Sequence, residues 1–361
     1  MTSLTFYGGA NEIGGNKILL EDQKTKIYLD FGESFNFGDD YFYEFLAPRT
    51  ANGLEVLFEF DLIPKVPKLY RNDKLKFTDL KYEKPDVDAI FVSHSHSDHV
   101  GHLPYIDPDI PIHLGHGTQK IIDTYHKLFP TLYDIGEHNK MIPFKSGDKI
   151  NVNGLVIEPI HVEHSVPAAY GFIVHTSKGP VVYTGDFRMH GPRTDLTMDF
   201  VKKAIDCKPY ALLCEGTRLS HESDHNYSEQ HVEEKVSDIV SKSGGLVLGY
   251  FSMLNVDRIM TFYNASVKND RILVIDTRLA YIIEQLRDKI TILPDVHNDK
   301  NIRVYYRLCK SCTFHEKDYL PWERAYINKM IKYDEIAENP KKFVMRIVIK
   351  PASKHVTSNP W

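Results

Sequence analysis

Several features are scarce in this 361-residue chain. No run of about 18 apolar residues occurs, which excludes a transmembrane helix. The opening Met1–Phe6 carries neither a basic region nor an apolar run, so no signal peptide is expected. There are only four cysteines, too few for a disulfide scaffold, and a reducing cytoplasm is the expected location. A basic excess is also lacking: 44 Lys and Arg stand against 49 Asp and Glu. A basic coat for nucleic acid is thereby excluded, and nucleic-acid binding would need a local cationic channel or bound metal ions. No fixed-period repeat or low-complexity tract stands out. Histidine, by contrast, is plentiful at 18 residues, several of them crowded together.

The first third reads as strands. Lys17–Leu20 and Lys26–Phe31 are apolar runs separated by Glu21-Asp22-Gln23-Lys24, the pattern of a hairpin. Further strands are expected over Asp88–Ser93, Leu155–Ile160, Tyr170–His175, Pro180–Thr184 and Ala211–Cys214, with a helix over Gly117–Phe129. Beyond Glu215 strands and helices alternate. Helices are expected over Ser228–Ser241, Asn255–Ser266 and Arg278–Lys289, and strands over Leu246–Gly249, Ile272–Ile275 and Ile290–Leu293. That alternation predicts a parallel α/β domain. A helix is expected again over Tyr319–Ile336, and Arg346–Trp361 reads as a loose tail. The expected division is therefore 1–215, 216–345 and a tail over 346–361.

The sharpest chemical signal is His94-Ser95-His96-Ser97-Asp98-His99, which directly follows a strand of buried character. Three imidazoles and a carboxylate within six residues would be expensive to pack as core. In a loop at a strand end they can converge on cations, since imidazole suits zinc and a carboxylate can bind a second ion or hold a water. His164 and Asp186 also fall at strand ends and complete a two-ion set, with His161 the alternative to His164. In this reading His94, His96 and His164 hold one ion; Asp98 and His99 hold a second, with Asp186 bridging both.

These motifs resemble the metallo-β-lactamase superfamily, and more narrowly its β-CASP nucleic-acid-processing branch, which includes ribonuclease J and the mRNA 3′-end nucleases. Tyr28-Leu29-Asp30-Phe31-Gly32 resembles the first motif. His94, His96, Asp98 and His99 resemble the second, His164 the third and Asp186 the fourth. Gly8–Asn16 is similar to the glycine-rich opening of ribonuclease J-like proteins, and Leu212–Thr217 to the acidic β-CASP motif around Glu215. The resemblance implies an α/β fold: an αββα sandwich with a parallel α/β insert. Two further histidine motifs expected after the insert are not found, so the C-terminal part of the sandwich is expected to be incomplete.

The resemblance implies a hydrolase that cleaves RNA phosphodiester bonds with a water bridging two zinc ions. Manganese remains an alternative, and one ion would be expected if the second site is incomplete. Asp98 would orient the water or take its proton, Asp30 would fix a ligand imidazole, and Glu215 would orient a proton donor. Ser252, Arg303 and Arg307 are candidate substrate contacts: Ser252 precedes a helix start, and the arginines flank Tyr305-Tyr306. Single-stranded RNA is the expected partner, without membrane attachment, and the family permits a homodimer. Cys309-Lys310-Ser311-Cys312 reads as free thiols. Two other readings stay open: a small-molecule ester or thioester metallo-hydrolase, and a non-catalytic RNA-binding relative.

Overall fold

A computed structural model describes residues 1–35, 53–129, 140–217, 227–309 and 311–348. They fall into two compact units, one drawn from Met1–Met189 with Arg193–Glu222, the other from His190–Pro192 with Ser223–Trp361. The boundary read from the sequence lies at residue 216.

In the first unit, β1 (Thr2–Gly8), β2 (Lys17–Asp22) and β3 (Thr25–Leu29) pair antiparallel. β4 (Ala89–Val92), β5 (Ile112–Gly115) and β6 (Met141–Phe144) extend that sheet in parallel. The second sheet runs in the order β11-β10-β9-β8-β7. Its strands are β7 (Ile150–Val152), β8 (Leu155–Val162), β9 (Ala169–Thr176), β10 (Gly179–Tyr183) and β11 (Ala211–Leu213).

Burial shows why these apolar runs are nearly continuous. Ile18, Leu20, Ile27, Leu29 and Phe91 face Ile157, Phe172, Val174 and Val181 between the sheets. Leu19, Tyr28, Ile90, Val92 and Leu114 point the other way into an outer layer. That layer holds α1 (Glu55–Glu59), α2 (Ser97–Val100) and α3 (His116–Leu128). Behind the second sheet, α4 (Thr194–Asp206) buries Phe200 against Ile160, Ile173 and Val182. Strands covered on both faces cannot alternate polar and apolar residues. The layers are helix, sheet, sheet, helix, as the sequence led one to expect.

The second unit is a parallel sheet in the order β12-β16-β13-β14-β15. Its strands are β12 (Val247–Tyr250), β13 (Ile272–Asp276), β14 (Ile302–Tyr305), β15 (Met330–Ile331) and β16 (Phe343–Ile347). Helices α5 (Glu229–Lys242), α6 (Val256–Lys268) and α7 (Thr277–Leu286) start at Ser228, Asn255 and Asp276. Each of those side chains accepts a hydrogen bond from a first-turn N–H.

Three expectations are corrected here. Ile290–Leu293 is a turn continuing the end of α7: the Leu293 N–H donates to Ile290 O, only Leu293 is buried, and Ile292 is exposed. Tyr319–Ile336 is not one helix. Pro321 starts the four-residue α8 (Pro321–Arg324), and β15 then pairs with β14 before α9 (Tyr333–Glu338). Arg346 and Ile347 belong to no loose tail. They are strand residues in β16, which lies between β12 and β13. The remainder of the expected tail, from 349 onward, lies outside the described residues, as does His138, which the sequence reads as a surface histidine near the metal loop.

Candidate metal centre

The histidine motif sits where β4 ends. Asp30 follows β3 with a left-handed backbone (φ 58°) that turns its carboxylate inward. It accepts from the Ser93 N–H (2.7 Å), Ser93 Oγ (2.8 Å), Tyr183 OH (2.7 Å) and His99 Nδ1 (2.8 Å). Because Ser93 Oγ donates to Asp30, it can only accept from His94 Nδ1, 3.0 Å away. Both rings therefore carry their proton on Nδ1 and turn Nε2 towards the cluster.

The structure brings together the expected side chains in two groups. His94, His96, His164 and Asp186 form one; Asp98, His99 and Asp186 form the other. In the first, His96 Nδ1 lies 3.0 Å from His94 Nε2 and 3.2 Å from His164 Nε2. Asp186 Oδ2 lies 3.9 Å from His94 Nε2 and 3.8 Å from His164 Nε2. In the second, His99 Nε2 is 3.3 Å from Asp98 Oδ2 and 3.4 Å from Asp186 Oδ1. A tetrahedral ion about 2.0–2.1 Å from each nitrogen sets its ligands about 3.3 Å apart, so these spacings suit one. Asp98 Oδ1 is buried with no hydrogen-bond partner, an acceptor a cation or water would satisfy. The donor set, imidazole nitrogens with carboxylates, fits zinc.

The electrostatics are consistent. Burial, then the neighbouring imidazoles, hold His94 well below the usual histidine range; burial also lowers His96. Burial and His96 depress His164 to about 3. These three rings are neutral near pH 7, the form that binds metal. For His99, burial opposes the charge, but Asp186, Asp30 and Asp98 outweigh it and raise the pKa well above the ordinary value. Asp186 answers in kind: burial raises it, yet His99 and the other imidazoles draw it well below the carboxylate range.

Other candidates fall elsewhere. Glu215 follows β11; its N–H donates to Thr184 Oγ1 (3.2 Å). Its carboxylate accepts from Thr217 Oγ1 (2.6 Å) rather than from an imidazole. Ser252, Arg303 and Arg307 lie in the second unit. Ser252 Oγ accepts from the Leu254 N–H (3.2 Å), Arg303 Nη1 donates to Ile302 O (3.0 Å), and Arg307 is exposed. Tyr306, beside Arg307, is core rather than a stacking platform. His161 stacks on Tyr170 and joins neither donor group. Among the described residues, Cys309 and Cys312 join no metal-spaced cluster, and all four cysteines are free.

Sequence reasoning missed Ser93, Tyr183 and Asn16 as parts of the site. Asn16 Nδ2 lies 3.2 Å from His99 Nε2, and the Asn16 N–H donates to Asp98 O. The only signal was adjacency: Ser93 precedes the histidine motif and Tyr183 opens Tyr-Thr-Gly-Asp.

Residues 66–207 match the family described as "Beta-lactamase superfamily domain". A Helicobacter pylori ribonuclease J is 27% identical over 277 residues, covering 74% of this chain and 35% of its own length. A Sinorhizobium meliloti ribonuclease J is 27% identical over 218 residues, 58% of this chain and 37% of its own. The chain thus spans about a third of the length of these curated relatives. A solved protein of unknown function from Enterococcus faecalis V583 superposes with TM-score 0.72 at 22% identity. That match covers 98% of this chain and 78% of the other, and shows a shared fold. Residues 66–207 thus match the beta-lactamase superfamily domain, within a longer stretch similar to ribonucleases J.

Proposed function

We propose that this chain is a metal-dependent hydrolase of RNA phosphodiester bonds, with two cations, zinc by preference, held by the two donor groups. The observation that carries the reading is Asp186. Its Oδ2 faces His94 and His164 while its Oδ1 faces His99, so one carboxylate belongs to both groups. Paired divalent cations neutralise phosphate charge and lower the pKa of water to about 7. The chain's own residues do the rest. His94, His96 and His164 present neutral lone pairs, Asp30 holds the His99 ring, and Asp98 is placed to orient a water or take its proton. Glu215 is assigned to orienting the donor that protonates the leaving group, its backbone tethered by Thr184 to the turn that carries Asp186. Similarity to ribonucleases J supports RNA as substrate, read as single-stranded and met in the cytoplasm. A β-CASP role for the second unit, with Ser252, Arg303 and Arg307 as contacts, belongs to the same reading, as does a homodimer, which the mass in solution checks.

The test is elemental analysis of protein purified without chelator, beside His94→Ala and Asp186→Ala, with the same samples assayed on 5′-monophosphorylated single-stranded RNA. About two zinc ions per chain and cleavage lost in both variants are expected. A wild-type protein without bound metal overturns the reading. So does a loaded protein that leaves RNA intact; cleavage of a small ester or thioester instead would put that substrate class in its place.

A further inference from the structure

His164 and Asp186 approach to 3.8 Å, yet they sit on loops that leave strands that are not neighbours. β8 precedes His164 and β10 precedes Asp186, and β9 lies between them in the sheet. Two strand spacings, about 9.6 Å, therefore separate the strand ends, and no ladder joins them directly. A buried cluster spans that gap. Glu163, next to His164, is 3% exposed, and the side chain of Arg188, two residues past Asp186, is 9% exposed. Arg188 Nη2 and Nε donate to Glu163 Oε1 at 2.6 and 2.7 Å. The Arg188 N–H donates to Glu163 O at 2.8 Å. From α4, fully buried Thr197 closes the ring: its Oγ accepts from the Glu163 N–H (3.0 Å) and donates to Arg188 O (3.3 Å).

We infer that Glu163, Arg188 and Thr197 form a positioning clasp that presets the distance between His164 and Asp186 and thereby the affinity of the site for metal. The inference rests on the metal-site reading above. Metal–ligand distances tolerate only about 0.2 Å, which two independently mobile loops would not hold. Stability is a poor explanation for the pair, because a buried ion pair is often matched or bettered by apolar residues of similar volume. What apolar residues would not reproduce is the doubly bonded guanidinium, which fixes the loops in direction as well as distance.

The experiment measures zinc affinity by competition with a chromophoric chelator, together with thermal unfolding of the metal-free protein. The variants are Arg188→Lys, Arg188→Met and the double variant Glu163→Leu with Arg188→Met. Arg258→Met serves as control, breaking the comparable Arg258–Glu229 pair of the second unit. Loss of the partners that orient metal ligands weakens binding about 10- to 100-fold, and that loss is expected for Arg188→Met and the double variant. Arg188→Lys, which keeps the charge, recovers part of it. The double variant removes both charges of the pair, so it unfolds nearer the wild-type temperature than Arg188→Met does, while binding zinc as poorly. Arg258→Met loses stability and keeps wild-type affinity. A double variant that binds zinc like wild type overturns the clasp and leaves the metal site standing, as does an Arg258→Met protein equally weakened for zinc. If Arg188→Met does not fold, the double variant and Arg188→Lys decide. A wild-type protein that binds no zinc overturns the metal-site reading, and the clasp with it.

Discussion

Asp30 Oδ2 lies 2.8 Å from His99 Nδ1, and both side chains are sealed from solvent. The carboxylate accepts four hydrogen bonds from three residues, so removing its charge leaves buried donors without a strong acceptor. Asn tolerates the left-handed backbone at this position, which makes Asp30→Asn the cleanest probe. It is expected to lower the stability of the metal-free protein by about 3 kcal/mol, as breaking a buried pair does, and to weaken zinc binding about 10- to 100-fold. Thermal unfolding and chelator competition check both; unchanged zinc affinity would contradict the role assigned to Asp30.

Gly32 admits no side chain. A Cβ there would stand 1.8 Å from Asp98 O and 1.9 Å from Asp98 C, both backbone atoms that carry the metal motif. Gly32→Ala should therefore displace Asp98 and His99 and abolish zinc binding by the second group. Gly244→Ala, with open space around it, should change stability by less than about 0.5 kcal/mol. Elemental analysis of the two variants side by side distinguishes local displacement from general intolerance.

His113 stacks on Phe91 with ring centroids 4.6 Å apart, and burial lowers its pKa from 6.5 to about 4. The unfolded chain thus binds a proton that the folded chain refuses. The contribution of His113 to stability is complete above pH 6.5 and is lost as the pH falls towards 4, at up to about 1.4 kcal/mol per pH unit. His94, His96 and His164 act in the same direction in the metal-free protein. The difference from His113→Phe is what denaturant titrations should read: a shallower decline for the variant between pH 6.5 and 4. Parallel curves would show that His113 is not excluded from protonation.

Glu215→Gln separates chemistry from metal binding. Metal content should stay at the wild-type value, because Glu215 belongs to neither donor group. RNA turnover should fall by about a hundredfold, the scale on which a misoriented proton donor is lost to catalysis. Unchanged turnover would reduce Glu215 to a turn residue held by Thr217.

How much of this was legible in the sequence depended on how far apart the partners lie along the chain. The four residues His94, His96, Asp98 and His99 stand within one loop, so their convergence could be read directly. His164 and Asp186 were found because each ends an apolar run. Glu163 and Arg188 were passed over because their pairing spans a strand that neither touches in sequence. In the second unit, strand–helix alternation exposed β12 and β13. It hid β16, because Arg346 looks like a surface residue. Its guanidinium is in fact buried, bonded to Asp276 and to Phe251 O, and lies over the Phe251 ring. Pairing, not composition, made Phe343–Ile347 a strand.

The central place of β16 has a consequence for how the protein is born. On the ribosome, β12 (Val247–Tyr250) and β13 (Ile272–Asp276) both emerge well before Phe343–Ile347. Through that interval each offers a bare edge of unpaired amides and carbonyls to any neighbouring chain. Closure of this sheet must wait for late-synthesised residues to thread between early ones, a long-range pairing that is slow by nature. Interrupted synthesis short of residue 343 would leave a split sheet prone to clumping, so yield of the intact second unit is governed by translation reaching β16.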